Sequence, residues 1–362
     1  MSNSVKLDVE KTLFYFIESI VSRWQYLYPT GERDKDIVKE TDIVYDEAHA
    51  EDCKLDLYYL PGRKRTKYPV LVYVHGGGFV AGDKKSREGT CRWLAQQGLF
   101  VVAVNYGLCP AYRFPEPLLH LIRSLSWIKE NAKAYNLNSR KVIGAGDSAG
   151  GYYAMMMALV QCTPKLQTRF GVKPALRLGA LALNCGLYDV ESILRAKMPF
   201  NIPANIFKGF TGLDTVSLPD FEFGDSCAPV DFISAALPPL LLIYSKHDIL
   251  CPGQTESIIE KLEERHVYYE SFYSDKFLSN HCFPFAWFRR DSKLANDVTL
   301  DFIRRYVSGT LREPSGETIA LNIVEDRHKA AASERPAPDG EAAKKKPVFG
   351  KKKAGQKTVR PE

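Results

Sequence analysis

Residues 139–162, SRKVIGAGDSAGGYYAMMMALVQC, decide the fold of this chain. The segment starts with an apolar run at 141–145, passes through a glycine-rich turn at 146–151, and continues into good helix formers at 152–162. This order of strand, tight turn and helix is the context in which the pattern G-x-S-x-G predicts a nucleophilic serine. Ser148 stands at the centre of the pattern and is therefore the candidate nucleophile.

The glycines of this turn explain how the serine can be presented. Strand and helix nearly collide there, and Gly146, Gly150 and Gly151 lack the Cβ atoms that would clash. The hydroxyl then stands clear of the backbone at a helix N-terminus, where free N–H groups favour developing negative charge.

Two other interpretations of the same segment stay open at this point. A structural turn can contain a serine by chance. Residues 144–149 also fit the dinucleotide fingerprint G-x-G-x-x-A, which requires an acidic residue about 20 positions later at the end of a strand. Residues 165–170 supply neither the acid nor the strand.

Composition places the chain among globular proteins. Of 362 residues, 45% are apolar and 25% charged, and no run of 18 apolar residues predicts a transmembrane helix. The first residues lack the pattern of a secretory signal. Eight cysteines are scattered without C-x-x-C or metal-ligand spacing, so we expect reduced thiols, no metal site and a cytoplasmic protein.

The formal net charge of +6 belongs to the end of the chain. Within 341–362, eight basic residues oppose two acidic ones, which accounts for the whole excess. Residues 311–362 are rich in Pro, Ala, Glu and Lys and are predicted to be a disordered basic tail. The clustered lysines suit either a solvated tail or weak contact with nucleic acid or an anionic membrane surface.

Strands and helices alternate along the chain, which predicts one mostly parallel, doubly wound α/β sheet. An N-terminal helix is expected over 4–29, and residues 188–224 interrupt the alternation with a Phe-, Pro- and Gly-rich insertion. The aromatic residues of that insertion suit either an apolar acyl or alcohol pocket or burial of the insertion itself. Strands are predicted at 41–46, 53–60, 68–74, 99–106, 141–145, 178–184, 238–244 and 267–273, the first two as antiparallel edge strands.

A base and an acid follow the later strands. Of seven histidines, His281 lies in a loop after the last strand, whereas the others lie in helices, outside the sheet, or beside better-placed groups. Asp248 follows the strand at 238–244 and can accept the Nδ1–H of a histidine from the next loop. The order Ser148, Asp248, His281 is the order of α/β-hydrolase triads.

A glycine run upstream completes the set. His75 leads Gly76, Gly77 and Gly78 directly after a buried strand, where backbone N–H groups can turn toward an oxygen. Together with the N–H of Ala149 they would form an oxyanion hole. We assign supporting roles to His75 and Gly76.

These residues together resemble the hormone-sensitive-lipase-like carboxylesterases of the α/β-hydrolase superfamily over about residues 40–310. The similarity is carried by His75-Gly76-Gly77-Gly78-Phe79, Tyr106-Gly107-Leu108-Cys109-Pro110 with Phe114-Pro115, Gly146-Asp147-Ser148-Ala149-Gly150-Gly151, Asp248 with Leu250, and His281. The resemblance implies an eight-stranded hydrolase core, an oxyanion hole from the N–H groups of Gly77, Gly78 and Ala149, and a metal-free ester hydrolase that needs no cofactor. Asp147 joins the supporting residues.

The resemblance also implies a division of the chain. Residues 1–40 would form an N-terminal helical cap segment and residues 41–310 the α/β-hydrolase catalytic domain, with the insertion at 188–224 completing the cap. Two positions depart from the family pattern: Ala111 stands where Glu is usual, and His120 stands near a usual carboxylate.

The expected function is hydrolysis of carboxylic esters of short to medium acyl chain through an acyl-enzyme, with a small-molecule ester as the partner. An amidase or deacetylase on the same triad, such as a formamidase or a sugar-ester deacetylase, is the alternative. A non-catalytic ligand receptor on this fold is a third reading, although such receptors typically lose a member of the triad.

Overall fold

The computed structural model describes the backbone of residues 3–198 and 201–311, and side chains from residue 11 onward within these ranges. The predicted tail at 311–362 thus lies outside the described residues, except for Leu311. All of the described residues belong to one compact unit.

One eight-stranded sheet organises this unit. Its strands are β1 (Val38–Val44), β2 (Lys54–Tyr59), β3 (Tyr68–Val74), β4 (Phe100–Val104), β5 (Leu137–Asp147), β6 (Ala180–Asn184), β7 (Leu240–Ser245) and β8 (Tyr269–Ser274). Their order in the sheet is β1-β2-β4-β3-β5-β6-β7-β8. From β4 onward in that order all neighbours are parallel, whereas β2 pairs antiparallel with both β1 and β4.

The antiparallel end of the sheet corrects one expectation. The strands predicted at 41–46 and 53–60 do pair with each other, but only β1 lies at the edge. β2 lies between β1 and β4, and four of its six residues are buried. The alternating sequence of β2 suggests an edge because its polar Asp56 interrupts the apolar residues; in the structure Asp56 is buried against the Lys84 ammonium at 3.0 Å.

Helices cover both faces of the sheet. The helices are α1 (Asn3–Gln25), α2 (Glu88–Gln96), α3 (Glu116–Asn131), α4 (Ala149–Cys162), α5 (Pro164–Phe170), α6 (Val190–Arg195), α7 (Ile202–Thr211), α8 (Gln254–Glu264) and α9 (Arg290–Ser308). Successive side chains of β3 point to opposite faces. Val70, Val72 and Val74 join the core formed with α3, α4 and α8, while Leu71 and Tyr73 join the core formed with α2 and α9. None of these helices combines the length and hydropathy needed to cross a bilayer.

Two segments outside the sheet lie near the carboxyl ends of its parallel strands. α1 precedes the sheet, and α6 and α7 belong to the insertion between β6 and β7. α1 and α7 pack against each other. Since open α/β sheets bind ligands at the carboxyl ends of their strands, these helices are placed to enclose a site there.

Candidate active site

The turn between β5 and α4 holds Ser148 in an uncommon backbone conformation. Its φ is 53° and its ψ is −122°, although serine has a Cβ. The Ser148 N–H donates to the carbonyl of Asn184 at 2.9 Å, which fixes the turn to β6. A Cβ on Gly150 would lie 2.1 Å from the carbonyl oxygen of Val74, so only glycine permits this approach of helix and strand. Strand, turn and helix therefore hold Ser148 in the geometry of a nucleophile elbow.

The loops after β7 and β8 bring Asp248 and His281 into contact. The His281 Nδ1 lies 2.9 Å from both carboxylate oxygens of Asp248. The backbone N–H groups of Leu250 and Cys251 donate to Oδ1 of the same carboxylate at 3.0 and 2.8 Å. Asn280 joins the two loops, because its Oδ1 accepts from the N–H groups of His281 and of the residue after Asp248. These bonds fix both side chains.

Burial and charge act in opposite directions on this pair. Burial alone would raise the pKa of Asp248, but the adjacent imidazole and the two N–H donors hold that pKa below its usual range. Burial disfavours the charged form of His281, yet the Asp248 carboxylate, and at longer range Asp147 and Glu18, raise the pKa of His281 above its usual value. The site therefore stabilises an imidazolium that forms next to the carboxylate.

The other ring nitrogen of His281 is free to act. Its Nε2 is buried and has no hydrogen-bond partner within the described part of the chain. With the Nδ1 proton directed at Asp248, the neutral ring carries its lone pair on Nε2. No hydrogen bond joins it to Ser148 in this structure, and such bonds are often long or unformed before substrate binds. Ser148 lines the same cavity as Leu250 and Cys251, the two residues that hold Asp248.

The glycine run after β3 lies on the same side of the sheet. Gly77 has φ +127° and Gly78 has φ +61°, conformations that side chains rarely adopt. Among the described hydrogen bonds, none uses the N–H groups of Gly77, Gly78 or Ala149 as donors. His75 stacks on the Tyr106 ring with centroids 4.6 Å apart, and its Nδ1–H donates to the Gly76 carbonyl. Burial lowers the pKa of His75, which suits a neutral supporting role.

A buried ion network behind the elbow was missed by the sequence analysis. Arg87 is 1% exposed and donates from Nε and Nη2 to the two carboxylate oxygens of Asp147, at 2.8 and 2.7 Å. Its Nη1 and Nη2 also donate to the carboxylate of Glu18 on α1, at 2.6 and 2.9 Å. Two carboxylates around one guanidinium leave a formal charge of −1 in this network.

The network connects four parts of the site. Asp147, the residue before Ser148, accepts the N–H of Gly76 through Oδ2 at 3.2 Å. The Arg87 guanidinium lies over the ring of Phe285 at 5.0 Å, four residues after His281. Glu18 belongs to α1, so the same cation fixes this helix to the serine turn, the glycine run and the histidine loop. The supporting role of Asp147 stays a prediction, and the structure places its carboxylate between Arg87 and the N–H of Gly76.

An apolar cavity opens in front of Ser148. α1 contributes Phe14, whose ring covers Gly78 so closely that a Cβ on this glycine would lie 2.6 Å from it. α6 and α7 supply eight of the described lining residues. The described lining residues carry no charged side chain: Phe14, Gly78, Phe79, Ser148, Ala149, Tyr152, Leu187, Val190, Ile193, Leu194, Met198, Ile202, Pro203, Ile206, Phe207, Phe210, Leu250 and Cys251.

The described aromatic residues of the insertion lie partly at the cavity and partly behind it. Phe207 and Phe210 line the cavity, whereas Phe221 and Phe223 pack with Phe114 and are not among its lining residues. Phe210 also stacks on Phe114, with ring centroids 4.9 Å apart, so one side chain both lines the cavity and helps to bury the insertion. Phe200, a further member of that pattern, lies outside the described residues.

Two groups of side chains have atoms close enough to hold a metal ion. Asp46, His49, Cys53 and His120 form one; Cys185, His281 and Cys282 form the other. In the first, Nδ1 of His120 accepts the N–H of Gly107 at 3.1 Å, so the neutral ring carries its proton on Nε2 and offers no lone pair there. In the second, the Nδ1 of His281 is bonded to Asp248.

The His120 contact also explains one departure from the family pattern. Its ring is fully buried and holds the loop at Gly107 through the bond described above. Burial lowers the pKa of His120 to about 4, so the ring is neutral at physiological pH. A neutral acceptor thus occupies the place where a carboxylate is usual. Ala111, the second departure, is exposed.

Comparison with solved structures confirms the predicted fold. Esterase B from Lactobacillus rhamnosis superposes with a TM-score of 0.74 at 22% sequence identity, covering 85% of this chain and 98% of that chain. EstE1, a thermostable carboxylesterase from a metagenomic library, superposes with a TM-score of 0.63 at 20% identity, covering 82% of this chain and 97% of that chain. The α/β-hydrolase fold with its mostly parallel eight-stranded sheet is therefore shown.

Sequence relatives agree at the level of family. "Probable carboxylic ester hydrolase LipM" of Mycobacterium tuberculosis is 26% identical over 233 residues, which is 64% of this chain and 53% of LipM. The chain thus spans about half the length of that relative. The expected kinship with hormone-sensitive-lipase-like carboxylesterases is confirmed, and because the BD-FAE family model matches residues 55–262, more than half of the chain, this protein belongs to the BD-FAE family.

Proposed function

We propose that this protein is a serine hydrolase that cleaves carboxylic esters of short to medium acyl chain through an acyl-enzyme. The observation that carries the proposal is the Asp248–His281 pair, bonded at 2.9 Å, beside a cavity that is lined by a serine in the strained conformation of a nucleophile elbow. Relatives named for ester hydrolysis support the same chemistry.

In the proposed reaction, Ser148 attacks the ester carbonyl while His281 Nε2 takes the hydroxyl proton. Asp248 keeps the imidazole in the required tautomer and stabilises its cation. The N–H groups of Gly77, Gly78 and Ala149 bind the oxyanion. The imidazolium then gives its proton to the leaving alcohol, and the same ring activates water to release the acid.

The cavity favours an apolar acyl chain. Its walls are aliphatic and aromatic, and the hydroxyl of Tyr152, one of the few polar groups among the described lining residues, already donates to the Cys227 carbonyl at 2.8 Å. A sugar would leave its hydroxyls without partners there, which costs about 1–3 kcal/mol for each unsatisfied group. We therefore favour a simple ester over a sugar ester.

A series of p-nitrophenyl esters from acetate to palmitate tests this proposal. We expect kcat/KM to peak at short to medium chains and labelling of Ser148 by a fluorophosphonate. An anilide series run in parallel separates the amidase alternative, because an ester hydrolase turns over the anilides far more slowly. A lack of labelling at Ser148, or a lack of hydrolysis across the series, would favour the hypothesis of a non-catalytic ligand receptor.

Narrowing the cavity should shorten the preferred chain. Ile206 of α7 lines the cavity and is only partly buried. The larger side chain of Ile206→Trp therefore fills part of the cavity with little disturbance of the packing in the buried core. We expect kcat/KM for hexanoate to fall about tenfold or more relative to acetate, since one methylene is worth about 10–200-fold in an apolar pocket. Val216→Trp, at an exposed residue of the same insertion, is the control and should leave the ratio unchanged. An equal loss for both esters would contradict this placement.

The pH profile should report His281. Catalysis needs the neutral ring, and its pKa is raised, so kcat/KM should fall as pH drops through a value above the usual histidine range. Glu18→Gln removes one of the negative charges that favour the imidazolium. We therefore expect its acid limb to move to lower pH, measured as kcat/KM against pH on a soluble ester. Glu191→Gln, at an exposed acid paired with Arg195, should not move it.

We also infer that this protein is cytoplasmic and that its partner is a small-molecule ester. All eight cysteines are free, and seven of them are buried, which suits a reducing compartment. Burial raises the pKa of Cys282, next to the proposed base, so this thiol is protonated and unreactive at neutral pH. Weak contact of the basic tail with anionic surfaces stays a proposal about residues outside the described ranges.

A further inference from the structure

Exposed apolar side chains are concentrated on three segments that also carry residues of the active site. Nine large apolar residues of the described chain are exposed, and all but Val216 lie on α1 with the two residues after it, on the loop of Asp248, or on the segment around His281. We call these eight the rim: Tyr15, Phe16, Tyr26, Leu27, Ile249, Phe277, Leu278 and Phe288. Singly scattered apolar residues are ordinary on a surface, but a group on three neighbouring segments is not.

Contacts between the three segments show that they adjoin. Trp24 of α1 packs edge-on against Phe288, with ring centroids 6.1 Å apart. The N–H of Ile249 donates to Asn280 at 3.2 Å, and Phe277 packs against His247. Phe14 of α1 and Leu250, the neighbours of rim residues, line the cavity from inside. At Tyr15 and Ile249 the rim thus adjoins residues of the cavity wall.

The charges on these segments have one dominant sign. Within 11–27, 246–251 and 275–293, the exposed charged side chains are five cations and one acid, Asp275, which pairs with Lys276 at 3.0 Å. The five cations are Arg23, Lys246, Lys276, Arg290 and Lys293. Aromatic and aliphatic side chains surrounded by Lys and Arg match an anionic lipid surface, which offers an apolar layer beneath negative headgroups.

We propose that the rim docks this protein onto an anionic lipid surface, with the entrance of the cavity facing the lipid. A second copy of the chain is a poor occupant, because two rims of the same positive sign repel each other. The protein's own tail, with its excess of lysines, is disfavoured for the same reason. The docking goes beyond the proposed hydrolysis; if both hold, ester substrates enter from the lipid phase.

Vesicle flotation of the full chain tests the docking without reference to catalysis. Vesicles of phosphatidylcholine with phosphatidylserine should bind the protein, and pure phosphatidylcholine vesicles should bind it more weakly. Phe277→Ser/Leu278→Ser/Phe288→Ser should lower the partition coefficient about tenfold or more, because large apolar side chains no longer leave water. Lys246→Gln/Lys276→Gln/Arg290→Gln should lower it about tenfold or more on anionic vesicles only.

Three controls keep the result specific. Val216→Ser removes an exposed apolar residue away from the rim segments and should bind as the unchanged chain does. Ser148→Ala should also bind normally, so a failure of the proposed hydrolysis stays separate from a failure of docking. Hydrolysis of a water-soluble ester by the rim variant should be unchanged, which shows that its fold is intact.

Several results would overturn the proposal. One is a rim variant that binds anionic vesicles as well as the unchanged chain does. Another is loss of all binding when the lysines at 344–346 and 351–353 are replaced by Gln with the rim intact, because the tail would then be the anchor. A third is a dimer, seen by sedimentation, that the rim substitutions dissociate while no vesicle binding is found.

Discussion

Replacing Ser148 by Ala should lower kcat on a p-nitrophenyl ester by about 10⁶, with the fold retained. Ser148 lines the cavity and lies on the turn directly before Ala149. Without its hydroxyl no acyl-enzyme can form. Alanine keeps the same Cβ, so the turn at φ 53° is no more strained than before. The steady-state rate is measured on the purified variant, and the pre-steady-state burst of p-nitrophenol is measured on the unchanged enzyme.

Two controls make that loss interpretable. The thermal midpoint of Ser148→Ala should match that of the unchanged chain, and Ser19→Ala, at an exposed serine of α1, should keep full activity. Fluorophosphonate labelling should vanish in Ser148→Ala alone. Activity within tenfold of the unchanged enzyme would remove Ser148 from the mechanism while leaving the fold as described.

The second large effect is expected on stability. Arg87→Met should lower the free energy of unfolding by about 3–5 kcal/mol, because Glu18 and Asp147 would then be buried close together without a cation. Both carboxylates now rest on this guanidinium at 2.6–2.9 Å, and Arg87 is 1% exposed. Urea unfolding at neutral pH measures the change. Adding Glu18→Gln to Arg87→Met should recover part of the loss, since one uncompensated charge is gone.

A surface ion pair supplies the comparison. Arg195→Met breaks an exposed pair with Glu191 on α6, and such pairs contribute about 0–1 kcal/mol. If Arg87→Met costs no more than Arg195→Met, the network does not fasten α1 to the serine turn. A loss of activity without a loss of stability would instead assign Arg87 to the chemistry.

The residues that follow strands could be found from the sequence. Ser148 and Asp248 each come shortly after an apolar run that predicts a strand, and His281 lies in the loop after the next strand; parallel strands bring such positions to one edge. Their roles stay predictions, but the structure does bring Asp248 and His281 into contact. The glycine run at 76–78 could be found in a similar way, because three glycines directly after a buried strand have few other uses.

The buried ions could not be found in this way. Arg87 stands in the segment DKKSREG, which reads as a solvated, charged start of a helix, and Glu18 occupies one of the polar positions of an amphipathic helix. Both become buried only because α1 folds over the sheet, 69 residues away from Arg87 in sequence. Local periodicity carries no trace of such a long-range partner. The helix at 164–170 was also missed, because it has only 7 residues.

The double attachment of α1 bears on how substrate preference can change among related proteins. This helix gives one side chain, Phe14, to the cavity and another, Glu18, to the cation that carries the serine turn. Grafting a foreign first helix to change selectivity therefore succeeds only when the graft keeps an acid opposite Arg87. Natural proteins that differ in selectivity through this helix should accordingly share an acid at the position of Glu18.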